Sequence, residues 1–175
     1  MLANKPLQFL HWIMAICFVL LFSVGIYMAD LPREVSYKFA LYDFHKSMGV
    51  LVMGLLVTRI FIALRSAKPN FSQKTSVWLR TTVLHTSLYL FMLVVPISGY
   101  LFSNFAGRDV AFFGLNLPPI VNESKDVVGL AKNAHFWLAY TFMAFISVHL
   151  LVQRKYIAGV WRRLSRRASA NIMSA

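Results

Sequence analysis

Four long apolar stretches constrain the fold of this chain more than any other feature. Each is close to the length of about 20 residues that a helix needs to cross the hydrocarbon core of a bilayer. Residues 7–29, 83–102 and 134–152 contain no Asp, Glu, Lys or Arg, and residues 45–64 contain only Lys46 and Arg59. The sequence therefore predicts an all-α, integral membrane four-helix bundle, and we expect residues 1–175 to form a single domain.

The net charge of +12 requires a separate explanation, because in a soluble protein it would suggest nucleic acid as a partner. Only 14% of the residues are charged and 58% are hydrophobic. A soluble domain usually has about 25% charged residues. This composition excludes a water-soluble surface and disorder, so we expect the bilayer as the partner and no nucleic acid.

The basic residues indicate how the four spans are oriented. If four spans are present, the N-terminus, the loop at 65–82 and the C-terminal tail share one side of the membrane. Twelve Lys and Arg lie on that side: Lys5, Arg59, Arg65, Lys68, Lys74, Arg80, Arg154, Lys155, Arg162, Arg163, Arg166 and Arg167. The opposite side holds six basic residues and all six acidic residues of the chain. Basic residues concentrate on the cytoplasmic side, so both termini are predicted to be cytoplasmic.

All five histidines lie in or at the edge of a predicted span, where ionisable residues are costly and usually functional. His135 and His149 occupy the outer and inner ends of the fourth span. Their 14-residue separation is about 21 Å of helix and returns to within roughly 40° of the same direction. His45 lies at the outer depth and His11 at the inner depth. Two histidine pairs stacked across a bundle are what two bis-histidine haems require.

Several neighbouring residues are consistent with haem binding but leave alternatives open. The haems would be b-type, because the chain has no C-x-x-C-H motif. Gly49 lies one turn inward from His45 and would admit a flat macrocycle. Arg59 either pairs with a haem propionate or snorkels to the interface. His85 is also at the inner depth, so spacing alone leaves His11 and His85 as alternative partners of His149. The one that is not a ligand could serve a quinone or make a structural hydrogen bond.

In order and spacing, several motifs resemble those of the prokaryotic cytochrome b561 family. The resemblance covers nearly the whole chain. It rests on the following residues: His11-Trp12, His45 and Gly49, Arg59, His85, Pro96 and Gly99, Phe113-Gly114-Leu115, Pro118, His135 and His149. Members are four-span, di-haem proteins of bacterial inner membranes that exchange electrons with quinone. The resemblance implies that His11 pairs with His149 and His45 with His135, which leaves His85 beside the inner haem.

The resemblance also implies a function. One kind of member oxidises superoxide at its outer face and passes the electron to ubiquinone, so superoxide is the leading periplasmic donor and a superoxide oxidase the expected enzyme. Lys46, Arg108, Lys125 and Lys132 are available to form a basic outer patch that steers an anion. The alternative is an electron-relay and anchor subunit of a periplasmic dehydrogenase or hydrogenase complex. The sequence does not identify a catalytic side chain.

Overall fold

The structure, a computed structural model, describes residues 5–66 and 75–173. Lys68 and Lys74, which count toward the predicted basic side, lie outside these residues, as do the side chains of Arg80, Arg163, Arg166 and Arg167. The described elements are four helices and one hairpin of two strands. In chain order they are α1 (Lys5–Asp30), α2 (Lys38–Ser66), α3 (Thr75–Phe105), β1 (Val110–Phe112), β2 (Leu115–Leu117) and α4 (Lys125–Met173). Each helix is long and apolar enough to cross a membrane, which confirms the predicted all-α four-helix fold.

The helices extend beyond the apolar stretches that predicted them. α2 begins at Lys38 rather than near residue 45, and α4 runs from Lys125 to Met173 around a predicted span of 134–152. The length of an apolar stretch indicates how much of a helix can lie in the hydrocarbon core of a bilayer. The backbone hydrogen bonds of the helix can continue beyond it into polar sequence. The segment between α3 and α4 is correspondingly shorter than predicted, and it contains the antiparallel hairpin in which Val110 pairs with Leu117.

Neighbouring helices in the chain pack side by side, from α1 to α2, α2 to α3 and α3 to α4. In the described residues, the backbones of α1 and α4 do not approach within 8 Å of each other at their Cα atoms. Large side chains fill that wider gap, and Phe18 and Phe142 meet there with ring centres 5.1 Å apart. At this level the α1–α4 gap is therefore closed by aromatic side chains and not by close approach of the two backbones.

The hairpin is bonded to the first half of α2, at Lys46 and Ser47. We call this end of the bundle the hairpin end and the opposite end, where α1 begins, the termini end. The buried Ser47 hydroxyl bonds the carbonyl of Ala111 at 3.0 Å and accepts the Phe113 N–H at 3.0 Å. Lys46 Nζ donates to the Asp109 carbonyl at 2.7 Å. Phe113 and Gly114 form the turn with φ of 48° and 93°. Since such a conformation is unfavourable for Phe, the Ser47 contact helps to hold this turn beside His45.

Candidate functional site

The structure brings His45 of α2 and His135 of α4 together at the hairpin end. Their ring centres are 6.5 Å apart and their planes meet at 87°. A metal–imidazole bond is about 2.0–2.1 Å long and the ring centre lies roughly 1.1 Å behind the ligating nitrogen, so two axial imidazoles on one iron have centres about 6.3 Å apart. The observed separation is compatible with one iron between the two rings.

Both of these rings lie on a glycine of the neighbouring helix. A Cβ placed on Gly25 of α1 would be 3.0 Å from Cε1 of His45, and a Cβ placed on Gly99 of α3 would be 2.9 Å from Cε1 of His135. Contacts this short are rare for real Cβ atoms. We call Gly25 and Gly99 the glycine seats, because a side chain at either position would push an imidazole toward the bundle axis.

A hydrogen bond fixes the orientation of the His135 ring. Its Nδ1 lies 3.2 Å from the Val95 carbonyl and 3.0 Å from Oγ of Ser98. Ser98 donates its own proton to the Val95 carbonyl at 2.7 Å, so the Nδ1–H of His135 can donate to both oxygens. An imidazole that donates from Nδ1 keeps Nε2 as an acceptor or metal ligand.

Two other imidazole nitrogens are buried without a conventional partner. Nδ1 of His45 and Nδ1 of His149 make no hydrogen bond within the described part of the chain. A buried polar atom that lacks a partner costs free energy, so each of these nitrogens is a candidate for bonding to a group that the described residues do not supply.

A cavity of about 250 Å³ is lined by both rings of the hairpin-end pair. Its wall is mostly apolar, and Gly49 forms part of it: a Cβ on Gly49 would meet no atom within 4 Å, so this glycine faces open space. The basic residues Lys46, Arg108 and Lys132 line the same cavity, and Lys125 does not. Apolar walls, two imidazoles and three cations are the kinds of group that would hold a haem, whose macrocycle is apolar and whose propionates are anionic.

Three histidines meet at the termini end. The His149 ring lies 6.2 Å from that of His11, with an interplanar angle of 68°, and 5.5 Å from that of His85, at 88°. Only the first distance is close to the 6.3 Å or so expected for two imidazoles on one iron. Among the residues that the structure describes, no three His, Cys, Asp or Glu side chains are grouped as they would be around a bare metal ion.

Arg59 also lies at the termini end, close enough to His11 to interact with it electrostatically. Its Nε donates to the hydroxyl of Tyr89 at 3.0 Å and its Nη1 donates to the Leu7 carbonyl at 2.8 Å. The guanidinium therefore joins α2 to α1 and α3. These contacts make Arg59 a structural link between helices, and a further contact with a propionate stays a prediction.

A 14-residue spacing relates the two ends of the bundle in all four helices. The pairs are His11 and Gly25, His45 and Arg59, His85 and Gly99, and His135 and His149. The hairpin end thus has a histidine on α2 and α4 and a glycine seat on α1 and α3. The sequence did not predict Gly25 as part of the site, although the same 14-residue spacing from His11 leads to it.

The fold and these residues define a class: a four-span membrane protein with pairs of facing histidines at two levels of its bundle. A family model described as prokaryotic cytochrome b561 matches residues 3–164. The chain belongs to the prokaryotic cytochrome b561 family. It is therefore a transmembrane electron-transfer cytochrome of a bacterial membrane, in a family that binds b-type haem.

The chain is also similar in sequence to three individual proteins. The chain is 29% identical to cytochrome b561 homolog 2 of Escherichia coli (strain K12), over 83% of this chain and 79% of that protein. It is 24% identical to cytochrome b561 homolog 1 of the same organism, over 83% and 84% of the two chains. It is 28% identical to a probable superoxide oxidase CybB of Yersinia pestis, over 81% of each chain.

Proposed function

We propose that this protein holds two b-type haems and moves single electrons between a periplasmic donor and membrane quinone. The observation that carries the proposal is the pairing of imidazoles at both ends of the bundle, with ring centres 6.5 Å and 6.2 Å apart. When bound, haem iron supplies the one-electron redox chemistry. The chain supplies the axial ligands, the apolar surroundings and the orientation of each imidazole.

The proposed ligand pairs are His45 with His135 and His11 with His149. The ring separation of 6.2 Å supports His11 over His85, because the 5.5 Å between His85 and His149 leaves less room for an iron. His85 then stands beside the termini-end haem. An imidazole in that position could exchange a proton with a quinone carbonyl during reduction.

The proposed orientation has the hairpin end in the periplasm and both termini in the cytoplasm of a bacterial inner membrane. The sequence supports it through the twelve basic residues and the absence of acidic residues on the termini side. A donor in the periplasm would then reach the His45–His135 pair first, and quinone would be reduced from within the membrane.

Superoxide is the proposed donor, and the proposed activity is that of a superoxide oxidase. The similarity to a probable superoxide oxidase supports it, as do the cations Lys46, Arg108 and Lys132 around the hairpin-end cavity. Two superoxide anions would each give up one electron to become dioxygen. Ubiquinone would take both electrons, with two protons from water, and become the quinol.

Haem and superoxide assays on the purified protein test this proposal. A pyridine haemochrome assay with protein quantitation should give two b haems per chain. A superoxide source should reduce the oxidised protein, added dismutase should abolish that reduction, and ubiquinone should reoxidise the haems. A haem count of zero or one would contradict the paired ligands, and reduction that persists unchanged with dismutase would rule out superoxide as the donor.

The basic rim of the cavity gives a second expected result. Replacing Lys132 by glutamine should slow the reduction by superoxide several-fold at low ionic strength, because local positive charge raises the on-rate of an anion. The difference should shrink in high salt, where the Debye length falls to about 3 Å at 1 M. Stopped-flow absorbance at several salt concentrations measures both effects.

Lys125 supplies the matched control, since it is a lysine of α4 that does not line the cavity. Lys125→Gln should retain most of the wild-type rate and its salt dependence. Equal effects of Lys125→Gln and Lys132→Gln would show that general surface charge, and not the cavity rim, guides the donor.

A further inference from the structure

A third level of side chains lies midway between the two histidine levels. Seven residues after each of His11, His45, His85 and His135, the chain places Phe18, Val52, Met92 and Phe142. Seven residues are close to two turns of a helix, so these side chains lie between the two ends on the faces that carry the histidines and the glycine seats. We call them the middle layer.

The middle layer is apolar and closely packed. Val52 and Phe142 have 0% and 1% of their surfaces exposed, and Phe18 has 8%. Met92 packs against the same buried cluster. No residue of this layer carries a polar hydrogen-bonding group on its side chain, whereas the levels on either side contain histidines and Arg59.

Phe142 is the centre of this layer. It is the largest of the fully buried side chains described. Its ring meets Phe18 edge to face at 5.1 Å, stacks on Phe91 of α3 at 5.8 Å with planes 13° apart, and lies 5.8 Å from Phe22. Phe142 also lines the hairpin-end cavity. One ring from α4 therefore packs across the gap toward α1 and forms part of the cavity wall.

Phe142 lies midway along α4 between the histidines of the two sites. It is seven residues from His135 and seven from His149. Phe142 is about 10.5 Å along the helix from each, which is the arrangement of a wall shared by two compartments.

We propose that the middle layer is an apolar partition that separates the two haem sites and keeps water from passing between them, with Phe142 as the residue that closes it. This proposal rests on the two-haem function proposed above. A dry apolar wall disfavours the ferric state, which carries more positive charge than the ferrous state, so it raises the midpoint potential of each haem. Because the wall is shared, opening it changes the surroundings of both haems at once.

Potentiometric titration of purified Phe142→Ala protein tests the partition. The variant should retain two haems per chain, and both midpoint potentials should shift downward, since the cavity left by the ring admits water beside both sites. Phe142→Leu fills more of the space and should give smaller shifts of the same sign. Val19→Ala is the matched control: Val19 follows Phe18 in α1 at the same depth of the bundle, but it is 66% exposed and does not line the hairpin-end cavity. Its potentials should equal those of the wild type.

The outcomes distinguish the partition from the proposed function. A wild-type protein with fewer than two haems would overturn the two-haem function, and the partition with it. Two haems in every variant with unchanged potentials would overturn the partition alone. A downward shift of only one potential would also overturn the partition, because it would place Phe142 in a single pocket. Loss of the same haem from both Phe142 variants would overturn it as well, because the ring would then serve to retain that haem.

Discussion

Replacing His135 by alanine should lower the haem content from two per chain to one. His135 and His45 face each other across a single cavity, so they are proposed to share one iron. His45→Ala and the double variant His45→Ala/His135→Ala should therefore lose the same haem as His135→Ala and keep the other. A pyridine haemochrome assay gives the stoichiometry, and the optical spectrum of the remaining haem should be the same in all three variants.

The same measurement separates the two candidate partners of His149. His149→Ala and His11→Ala should each lose the termini-end haem, whereas His85→Ala should keep two. The reason is the ring separation, 6.2 Å for His11 and 5.5 Å for His85. A His85→Ala protein with one haem beside a His11→Ala protein with two would reverse the assignment. Two haems in His135→Ala would contradict the ligand pairs altogether.

The sequence was sufficient to predict the four helices and the levels of their histidines, because both depend on properties that vary along a single helix. Hydrophobic length identifies a span, and the position of His135 or His149 within it gives a depth. The structure brings His45 to His135 and both His11 and His85 to His149. The role of these residues as ligands, the number of haems and the cytoplasmic position of the termini stay predictions.

Features that depend on contacts between helices could not be predicted in this way. Nothing local to Gly25 indicates that the His45 ring will lie against it, because that contact depends on how α1 and α2 pack. The Ser47 hydroxyl bonds a hairpin more than 60 residues away in the chain. The sequence predicts that Arg59 pairs with a propionate or snorkels to the interface, whereas its bonds to Tyr89 and Leu7 depend on how three helices pack.

Replacing Gly99 by alanine should weaken the binding of the hairpin-end haem without removing any ligand. The new Cβ would lie 2.9 Å from Cε1 of His135 and 3.2 Å from its Nδ1, so the ring must move away from the Val95 carbonyl that orients it. Overpacking of this kind costs about 1–3 kcal/mol, which corresponds to haem binding roughly 5- to 150-fold weaker at that site. Transfer of haem to an excess of an apo-haem protein measures the loss.

Gly25→Ala should have a similar but smaller effect through His45, since its closest contact would be 3.0 Å. The control is Gly54→Ala on α2, where a Cβ meets no atom within 4 Å. That change should leave both haems in place and stabilise the helix by about 0.5–1 kcal/mol. Equal haem loss from Gly54→Ala and Gly99→Ala would show that the glycines act through helix flexibility and not as seats for the imidazoles.

Electron paramagnetic resonance reports the relative orientation of the two imidazole planes at a haem, independently of how much haem is bound. In low-spin ferric haem, axial imidazoles with nearly perpendicular planes give a highly anisotropic signal, whereas parallel planes give a rhombic one. The 87° between His45 and His135 predicts the anisotropic signal for the hairpin-end haem. Because the seats at Gly25 and Gly99 hold the two rings from opposite sides of the bundle, alanine at either position should shift this signal and leave that of the termini-end haem unchanged.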